Sequence, residues 1–333
     1  MTLRDKRGVV EVQFNWIFIL VSGALILSLF AAIVLKQKDV AEVSSHATLL
    51  KAITAITAGS EASSGVTSSL DLPEATIGIE CNLIRIGDQS QQFGQMMLFS
   101  PTTLRTSPLI AKTQEWSTPY RVTNIVYLSS PKIRYILVGD TPLAREINKS
   151  MPKGLEAEWY PSLPSAIRPR TDDFTRFIFF GSSSPALPSS FSDEENRKIT
   201  ALAINGDSLF GTASFYSKVE GRLDLRRTLP YLKSEMLLGA VITDSEEQYE
   251  CIAINMFRRL GIVSEIYAER TSRLASSPSF MRCSTLYTSA QSQISLIRAA
   301  GLNEGTGAQM GPAIASLETT NSQLQRQSCP LLY

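Results

Sequence analysis

The clearest pattern along the chain is an uninterrupted apolar run near its start. Residues 14–35 read FNWIFILVSGALILSLFAAIVL and include no charged side chain. At about 1.5 Å per residue, a helix of this length covers roughly 33 Å, which matches a hydrocarbon core of about 30 Å. Because backbone groups inside lipid must be hydrogen-bonded within the segment, the run has to be helical there. We therefore predict a single-pass transmembrane helix at 14–35, preceded by a basic flank at 1–13.

The beginning of the chain allows two other interpretations. A secretory signal peptide usually has an apolar core of about 7–15 residues, shorter than this run, and no small-residue cleavage site follows here. A pilin-type leader cut after Gly8 would leave the run as the helix of a filament core, but Glu11 would then be the third mature residue instead of the fifth. An ordinary basic flank before a retained anchor is favoured over both.

Basic residues lie on both sides of the run, so the positive-inside rule gives only a slight preference. The positive charges before the run are more closely grouped, and all four cysteines follow it. We expect the N-terminus in the cytoplasm and the bulk of the chain outside it.

The remaining pattern predicts a stalk, a linker and one globular domain. Apolar residues keep a nearly helical spacing through 36–58, which indicates a helical stalk, and the Gly, Ser and Thr content of 59–72 is typical of a flexible linker. The domain at 73–333 divides into a β-rich part at 74–130, an α/β core at 131–244 and a helical part at 245–333. The fold class is thus predicted as α/β, with a mixed-sheet, three-layer-like domain and a helical C-terminal part.

Local signals place several elements of this domain. A hairpin is predicted from 75–86 and 93–99, and further strands at 122–128, 133–138, 155–159, 174–180, 199–204, 209–216 and 238–243. Thr141 followed by Pro142 predicts the start of a short helix over 143–151, and Ser245 with Gln248 predicts the start of a longer one. Asn205-Gly206 between two apolar runs predicts a tight hairpin. Helices are expected at 246–260, 262–274, 283–300 and 314–326, with a glycine-rich loop over 301–311.

Composition excludes several functions. The 32 Lys and Arg residues nearly balance 31 Asp and Glu residues, which argues against a nucleic-acid partner. The lone histidine, His46, falls on the predicted stalk, so neither a Ser-His-Asp triad nor a multi-histidine metal site is expected. There is no GxGxxG and no P-loop sequence. The sequence therefore identifies no catalytic residue, cofactor or metal site and favours a non-enzymatic role.

One group of polar residues could still bind a ligand. In open α/β sheets, ligands bind beyond the carboxyl ends of parallel strands. If the strands ending near 138, 180 and 243 are parallel neighbours, Asp140, Thr141, Ser182 and Asp244 would line one crevice. The alternative is that these residues are helix caps and turn residues required by the fold.

Four cysteines are the most informative polar feature. An even number in an extracytoplasmic domain favours two disulfides among Cys81, Cys251, Cys283 and Cys329, with three possible pairings. A bridge from Cys329 would pin the C-terminal tail. The alternative is four buried free thiols in a cytoplasmic domain.

Several stretches also resemble uncharacterised single-span membrane proteins of small-genome archaea, whose anchors begin with a QFNWIF-type run. The similar stretches are VQFNWIFILVSGALIL, WSTPYRVTNIVYLSSPKIRYIL, EQYECIAINMFRRL and SCPLLY. The group has no established activity. The resemblance implies an anchored protein of the archaeal cell envelope with paired cysteines, and it implies no catalytic residues.

These observations lead us to expect a membrane-anchored extracytoplasmic protein with a binding or assembly role in the cell envelope. Its expected partners are the lipid bilayer and a protein partner or a second copy associating through the membrane helix. The second hypothesis is an anchored enzyme or ligand sensor that uses the strand-end crevice. The third is a pilin-like filament subunit with a processed leader.

Overall fold

The fold is given by a computed structural model that describes residues 7–62, 64–94, 96–106, 108–170, 174–181, 185–302 and 307–333. The chain separates into two compact units, Met1–Lys51 and Ala52–Tyr333. The elements below are numbered along the chain.

The first unit is helical in all of its described residues. Helix α1 extends over Arg7–Ala62, and therefore includes both the predicted membrane segment and the predicted stalk. Large apolar side chains are exposed along it, from 53% at Val21 to 74% at Leu27. Among the residues whose side chains the structure describes, no helix is both long enough and apolar enough to cross a membrane; residues 14, 15, 17 and 33–35 of the predicted segment lie outside that set.

The described part of the second unit contains three β-sheets. Sheet A has the order β1 (Thr67–Leu70), β7 (Leu109–Ser117), β8 (Arg121–Ser129) and β5 (Met97–Phe99). Sheet B has the order β4 (Gln89–Gln92), β3 (Leu83–Ile86), β2 (Thr76–Glu80) and β6 (Thr103–Arg105). Sheet C has the order β10 (Glu156–Tyr160), β9 (Ile133–Val138), β11 (Phe174–Phe180), β12 (Ile199–Gly206), β13 (Phe210–Val219) and β14 (Arg222–Leu232).

Sheet C combines two pairing modes. Strands β10, β9, β11 and β12 are parallel, and β13 and β14 extend the sheet as antiparallel strands. Helix α2 (Pro142–Ser150) connects β9 to β10. Strands β9 and β11 are almost continuously apolar and buried, as expected for parallel strands that are covered on both faces.

Helices follow the last strand. Helix α3 (Lys233–Ile242) is buried on every side from Met236 onwards. It packs so closely that a Cβ added to Gly239 would lie 2.5 Å from the Phe99 ring. Helix α4 (Glu246–Ser276), a 3-10 segment (Pro278–Cys283), α5 (Ser284–Leu302) and α6 (Gly307–Arg326) complete the chain. Short 3-10 turns also occur at Ser189–Phe191 and Asn196–Lys198.

Both predicted disulfides are present. Cys81, in the turn between β2 and β3, is bonded to Cys251 of α4, and Cys283 is bonded to Cys329 beyond the end of α6. The second bridge holds the C-terminal tail, as expected. The tail is also held by hydrogen bonds from the Tyr287 hydroxyl to the Pro330 carbonyl (2.8 Å) and from the Leu332 amide to the Asn321 side chain (2.8 Å).

The mixed α/β class with a helical C-terminal part is confirmed, and so are most elements of sheet C. Strands β9 and β11 have the predicted bounds, and β12 and β13 form the predicted hairpin. Its turn lies at 207–209, however, because Asn205 and Gly206 are still paired with Thr212 and Gly211. Thr141 caps α2, accepting a hydrogen bond from the Ala144 amide (3.1 Å), and the Ser245 hydroxyl accepts one from the Gln248 amide (3.2 Å) at the start of α4.

Several boundaries differ from the expectations. The predicted strand at 238–243 is the end of α3, because a fully buried apolar run has the same composition in a strand and in a core helix. The run at 75–86 breaks at Cys81-Asn82 into β2 and β3, and the two helices expected on either side of Gly261 are the single helix α4. In the predicted linker, α1 continues to Ala62 and β1 begins at Thr67. In the predicted glycine loop, Gly301 belongs to α5, whereas Gly307 and Gly311 belong to α6; residues 303–306 lie outside the described residues.

Candidate functional site: a cationic cleft

A cleft of about 530 Å³ opens at the amino ends of the parallel strands of sheet C. The first residues of β9 and β11, Ile133 and Phe174, lie on one side of it, and β6, an edge strand of sheet B, lies on the other. The end of α3 and the 3-10 turn before β12 complete the lining. The volume is in the range of small-molecule sites, about 300–1,000 Å³.

The most unusual residue in the lining is Arg176 of β11, which is 2% exposed. Its Nε and Nη2 donate hydrogen bonds to the carbonyls of Val241 (2.8 Å) and Ala240 (2.9 Å), the last turn of α3. Its Nη1 donates to the Thr200 hydroxyl (2.9 Å) on β12. A cation at the carbonyl end of a helix is favourable because that end carries partial negative charge. Arg176 therefore joins α3 to sheet C.

No carboxylate within the described residues forms a salt bridge with Arg176. Burial lowers the pKa of Arg176 to about 10, and the nearby charge of Asp244 opposes that shift. The guanidinium stays protonated at neutral pH. Its hydrogen bonds within the described structure engage three of the five N–H donors that an arginine carries.

The described lining of the cleft has an excess of positive charge. Its cationic side chains are Arg105, Lys132, Arg176, Arg197 and Lys198, and its carboxylates are Glu195 and Asp244. Glu195 is already paired with Arg197 (2.7 Å) and lies 3.9 Å from Lys198. That pairing leaves Arg105, Lys132 and Arg176 without a salt bridge in the described part of the chain.

Asp244 has a structural role in this lining. Its Oδ1 accepts a hydrogen bond from the Thr102 amide (2.7 Å) and its Oδ2 accepts one from the Thr102 hydroxyl (3.1 Å). These bonds tie the segment between β5 and β6 to the junction of α3 and α4. Both carboxylate oxygens are thereby hydrogen-bonded, and the charge of Asp244 still acts on Arg176 without forming a salt bridge to it.

The other residues of the predicted crevice lie elsewhere. Asp140 and Thr141 follow the carboxyl end of β9, whereas the cleft is at the amino end, roughly 20 Å away along a six-residue strand. Asp140 forms an exposed salt bridge with Arg145 (2.6 Å), and Thr141 caps α2. Ser182 lies outside the described residues. Asp140 and Thr141 therefore do not share a crevice with Asp244, because the third predicted strand is the end of α3, which lies at the amino ends of the strands.

Sequence reasoning did not single out Arg176, Lys132 or Arg105 as site residues. The only local signal was an arginine inside an otherwise apolar strand, FTRFIFF, where a buried charge requires a partner. Its carbonyl partners on α3 lie 64 and 65 positions further along the chain and Thr200 lies 24 positions further, so no local pattern could identify them.

Neither a metal-binding cluster among the described residues nor a similar protein adds to this geometry. In the part of the chain that the structure describes, no group of three His, Cys, Asp or Glu side chains could hold a metal ion. No known protein family, curated protein or solved structure matches the chain. The archaeal resemblance stays an expectation, and function has to be inferred from the residues themselves.

Proposed function

We propose that the protein is anchored in a membrane through residues 14–35 and holds its α/β unit outside the cytoplasm, where the unit has a binding or assembly role in the cell envelope. The observation that carries the location is the pair of disulfides, which uses all four cysteines. Disulfides persist in oxidising compartments and are rare where thiols are kept reduced.

The anchor is supported by the N-terminal helix. Three of its aromatic side chains, Trp16, Phe18 and Phe30, are 62–70% exposed. Apolar side chains that are exposed to this extent indicate an interaction site for a membrane or another protein. Ser28, a polar residue within the run, donates its hydroxyl to the Leu25 carbonyl (2.8 Å), so its hydrogen bond is made inside the helix. A lipid bilayer is the partner that this chemistry fits best.

Membrane fractionation tests the anchor. The full chain should stay in the membrane pellet during alkaline carbonate extraction and dissolve only in detergent. Leu25→Arg combined with Leu29→Arg should release it, because an arginine near the centre of a membrane helix costs about 2.5–3.5 kcal/mol on insertion scales. Leu225→Arg is a matched control, since Leu225 of β14 is 55% exposed and Leu25 is 64% exposed. Carbonate release of the unaltered chain would contradict the anchor.

Peptide mapping without reduction tests the compartment. Thiols are blocked at lysis of cells that carry the native protein, and the digest is analysed by mass spectrometry. The expected linked peptides join Cys81 to Cys251 and Cys283 to Cys329. Four alkylated thiols would place the α/β unit in a reducing compartment and contradict the proposed location.

Ligand sensing is the second candidate function, and the observation that favours it is the cleft. A concave site with convergent polar groups is the usual form of a small-molecule site. The cleft has this form, although it lies at the opposite end of the strands from the predicted crevice.

The pilin-like alternative depends on processing of the N-terminus. Sequencing of the mature N-terminus decides it: a start at Val9 supports a leader, and retention of residues 1–8 excludes one.

A further inference from the structure

We propose that the cleft at the amino ends of β9, β11 and β12 is a binding site for a small organic anion with at least two negative charges, such as a polycarboxylate or a phosphate ester. The inference concerns the second unit alone and does not depend on the membrane anchor. Its failure and the failure of the anchor are therefore distinguishable.

The first step is the buried charge at the cleft. Arg176 is 2% exposed and forms no salt bridge with a carboxylate of the described residues, although the charge of Asp244 acts on it. Burying a cation in this way costs free energy that proteins normally compensate. Arg176 receives carbonyl and hydroxyl partners from Ala240, Val241 and Thr200, which engage three N–H donors. A bound oxyanion would add a direct counter-ion to the charge of Asp244. The planar guanidinium suits carboxylate and phosphate oxygens particularly well.

The second step is the arrangement of the other cations. Lys132 precedes β9 and Arg105 ends β6, so they approach the cleft from two different sheets. Both side chains lack a salt bridge in the described residues, although carboxylates are about as frequent in the chain as cations. Three cations that converge on one cavity and form no salt bridge within the described residues fit an anion with more than one charge better than a single carboxylate.

The third step is the apolar part of the lining. Leu104, Ile133, Phe174 and Ile242 contribute apolar surface between the charged groups. A cleft made only for inorganic ions would not need such walls, whereas an organic anion can place its carbon skeleton against them. The available volume, about 530 Å³, is also larger than a single inorganic phosphate requires. The ligand class that fits is therefore a compact organic polyanion.

Isothermal titration calorimetry of the full chain in a neutral detergent tests the proposal. The probes are citrate for polycarboxylates and pyrophosphate for phosphate esters. Saturable binding of at least one probe is expected. It should weaken between 50 and 200 mM salt, concentrations we choose because the screening length falls from about 14 Å to about 7 Å between them. Citrate binding alone would assign a carboxylate ligand, and pyrophosphate binding alone would assign a phosphate ligand.

Charge-neutralising variants locate the binding. Lys132→Gln and Arg105→Gln should each weaken the anion about fivefold, the effect of losing about 1 kcal/mol from one exposed charge. Lys149→Gln on α2 is the matched control, because it removes the same charge from an exposed position outside the cleft lining. It should leave the affinity unchanged. Arg176 is not substituted, because its loss would also remove the two hydrogen bonds that join α3 to sheet C.

Two results would overturn the proposal. One is the absence of saturable binding for both probes at low salt. The other is an equal loss of affinity in Lys149→Gln and Lys132→Gln, which would show that the anions respond to net charge and not to the cleft. Circular dichroism of each variant confirms that the fold is retained before affinities are compared.

Discussion

Replacing Glu158 by glutamine should lower the unfolding free energy of the α/β unit by about 3 kcal/mol, because the change leaves a buried arginine without its counter-ion. Arg134 of β9 donates two hydrogen bonds to Glu158 of β10, from Nε to Oε1 (2.9 Å) and from Nη2 to Oε2 (2.8 Å). The Arg134 side chain is only 7% exposed, and the Glu158 side chain is 25% exposed. Arg170 (3.1 Å) and the Tyr160 hydroxyl (2.7 Å) contact the same carboxylate.

The magnitude follows from this geometry. Breaking a fully buried ion pair by removing one partner destabilises a protein by about 3–5 kcal/mol. Water still reaches a quarter of Glu158, and glutamine keeps one acceptor oxygen for Arg134, so the expected loss is at the low end of that range. For a domain of this size, a loss of about 3 kcal/mol lowers Tm by roughly 6–9 °C.

The pH dependence gives a second readout. The hydrogen bonds from Arg134 lower the pKa of Glu158, with the Tyr160 hydroxyl and the charge of Arg170 acting in the same direction against burial. A carboxylate with a lowered pKa stabilises the fold fully above its unfolded value, about 4.3, and loses that contribution as the pH falls through its folded value. The difference in Tm between wild type and Glu158→Gln should be constant from pH 6 to 8, the range chosen for the assay, and shrink below about pH 4.

Thermal unfolding followed by circular dichroism measures both effects. Glu269→Gln is the control, because the Glu269–Arg273 pair on α4 is 63% and 78% exposed and such pairs contribute about 0.3–0.5 kcal/mol. A Tm for Glu158→Gln within about 1 °C of this control at pH 7 would refute the reasoning. It would mean that Arg134 is hydrated or re-paired in the folded state.

Three further outcomes follow from the contacts. The double variant Cys283→Ser with Cys329→Ser removes a disulfide whose cysteines are 46 positions apart in the sequence. Loop entropy predicts that the free energy of unfolding, measured with denaturant, falls by about 4 kcal/mol, and an unchanged midpoint would contradict this. Thr141→Ala should cost about 1 kcal/mol in urea unfolding by removing the α2 cap, while citrate and pyrophosphate affinities stay the same. Gly239→Ala should destabilise by about 1–2 kcal/mol despite better helix propensity, because its Cβ would lie 2.5 Å from the Phe99 ring; a stabilised variant would show that α3 can move away.

Local chemistry was sufficient to predict many elements of this protein. The cap at Thr141, the buried strand at Phe174–Phe180 and the hairpin of β12 and β13 depend on neighbouring residues, and each forms as expected, although the hairpin turns just after Gly206. The two disulfides were also expected from the cysteine number. Their pairing was not, because three pairings satisfy the same sequence and only folding brings Cys81 beside Cys251.

The candidate site depended on contacts that no local pattern contains. Whether 238–243 was a strand or a helix could not be decided from its apolar composition, and that choice determined which end of sheet C would carry the cleft. Arg176 meets the α3 carbonyls across more than 60 residues, and Asp244 meets Thr102 across 142. The sequence by itself determined the apolar N-terminal run, the α/β class and the cysteine number, since these follow from composition and short-range periodicity. The tertiary structure alone decided the disulfide pairing and the cationic cleft, because both arise from packing between segments that are distant in the chain.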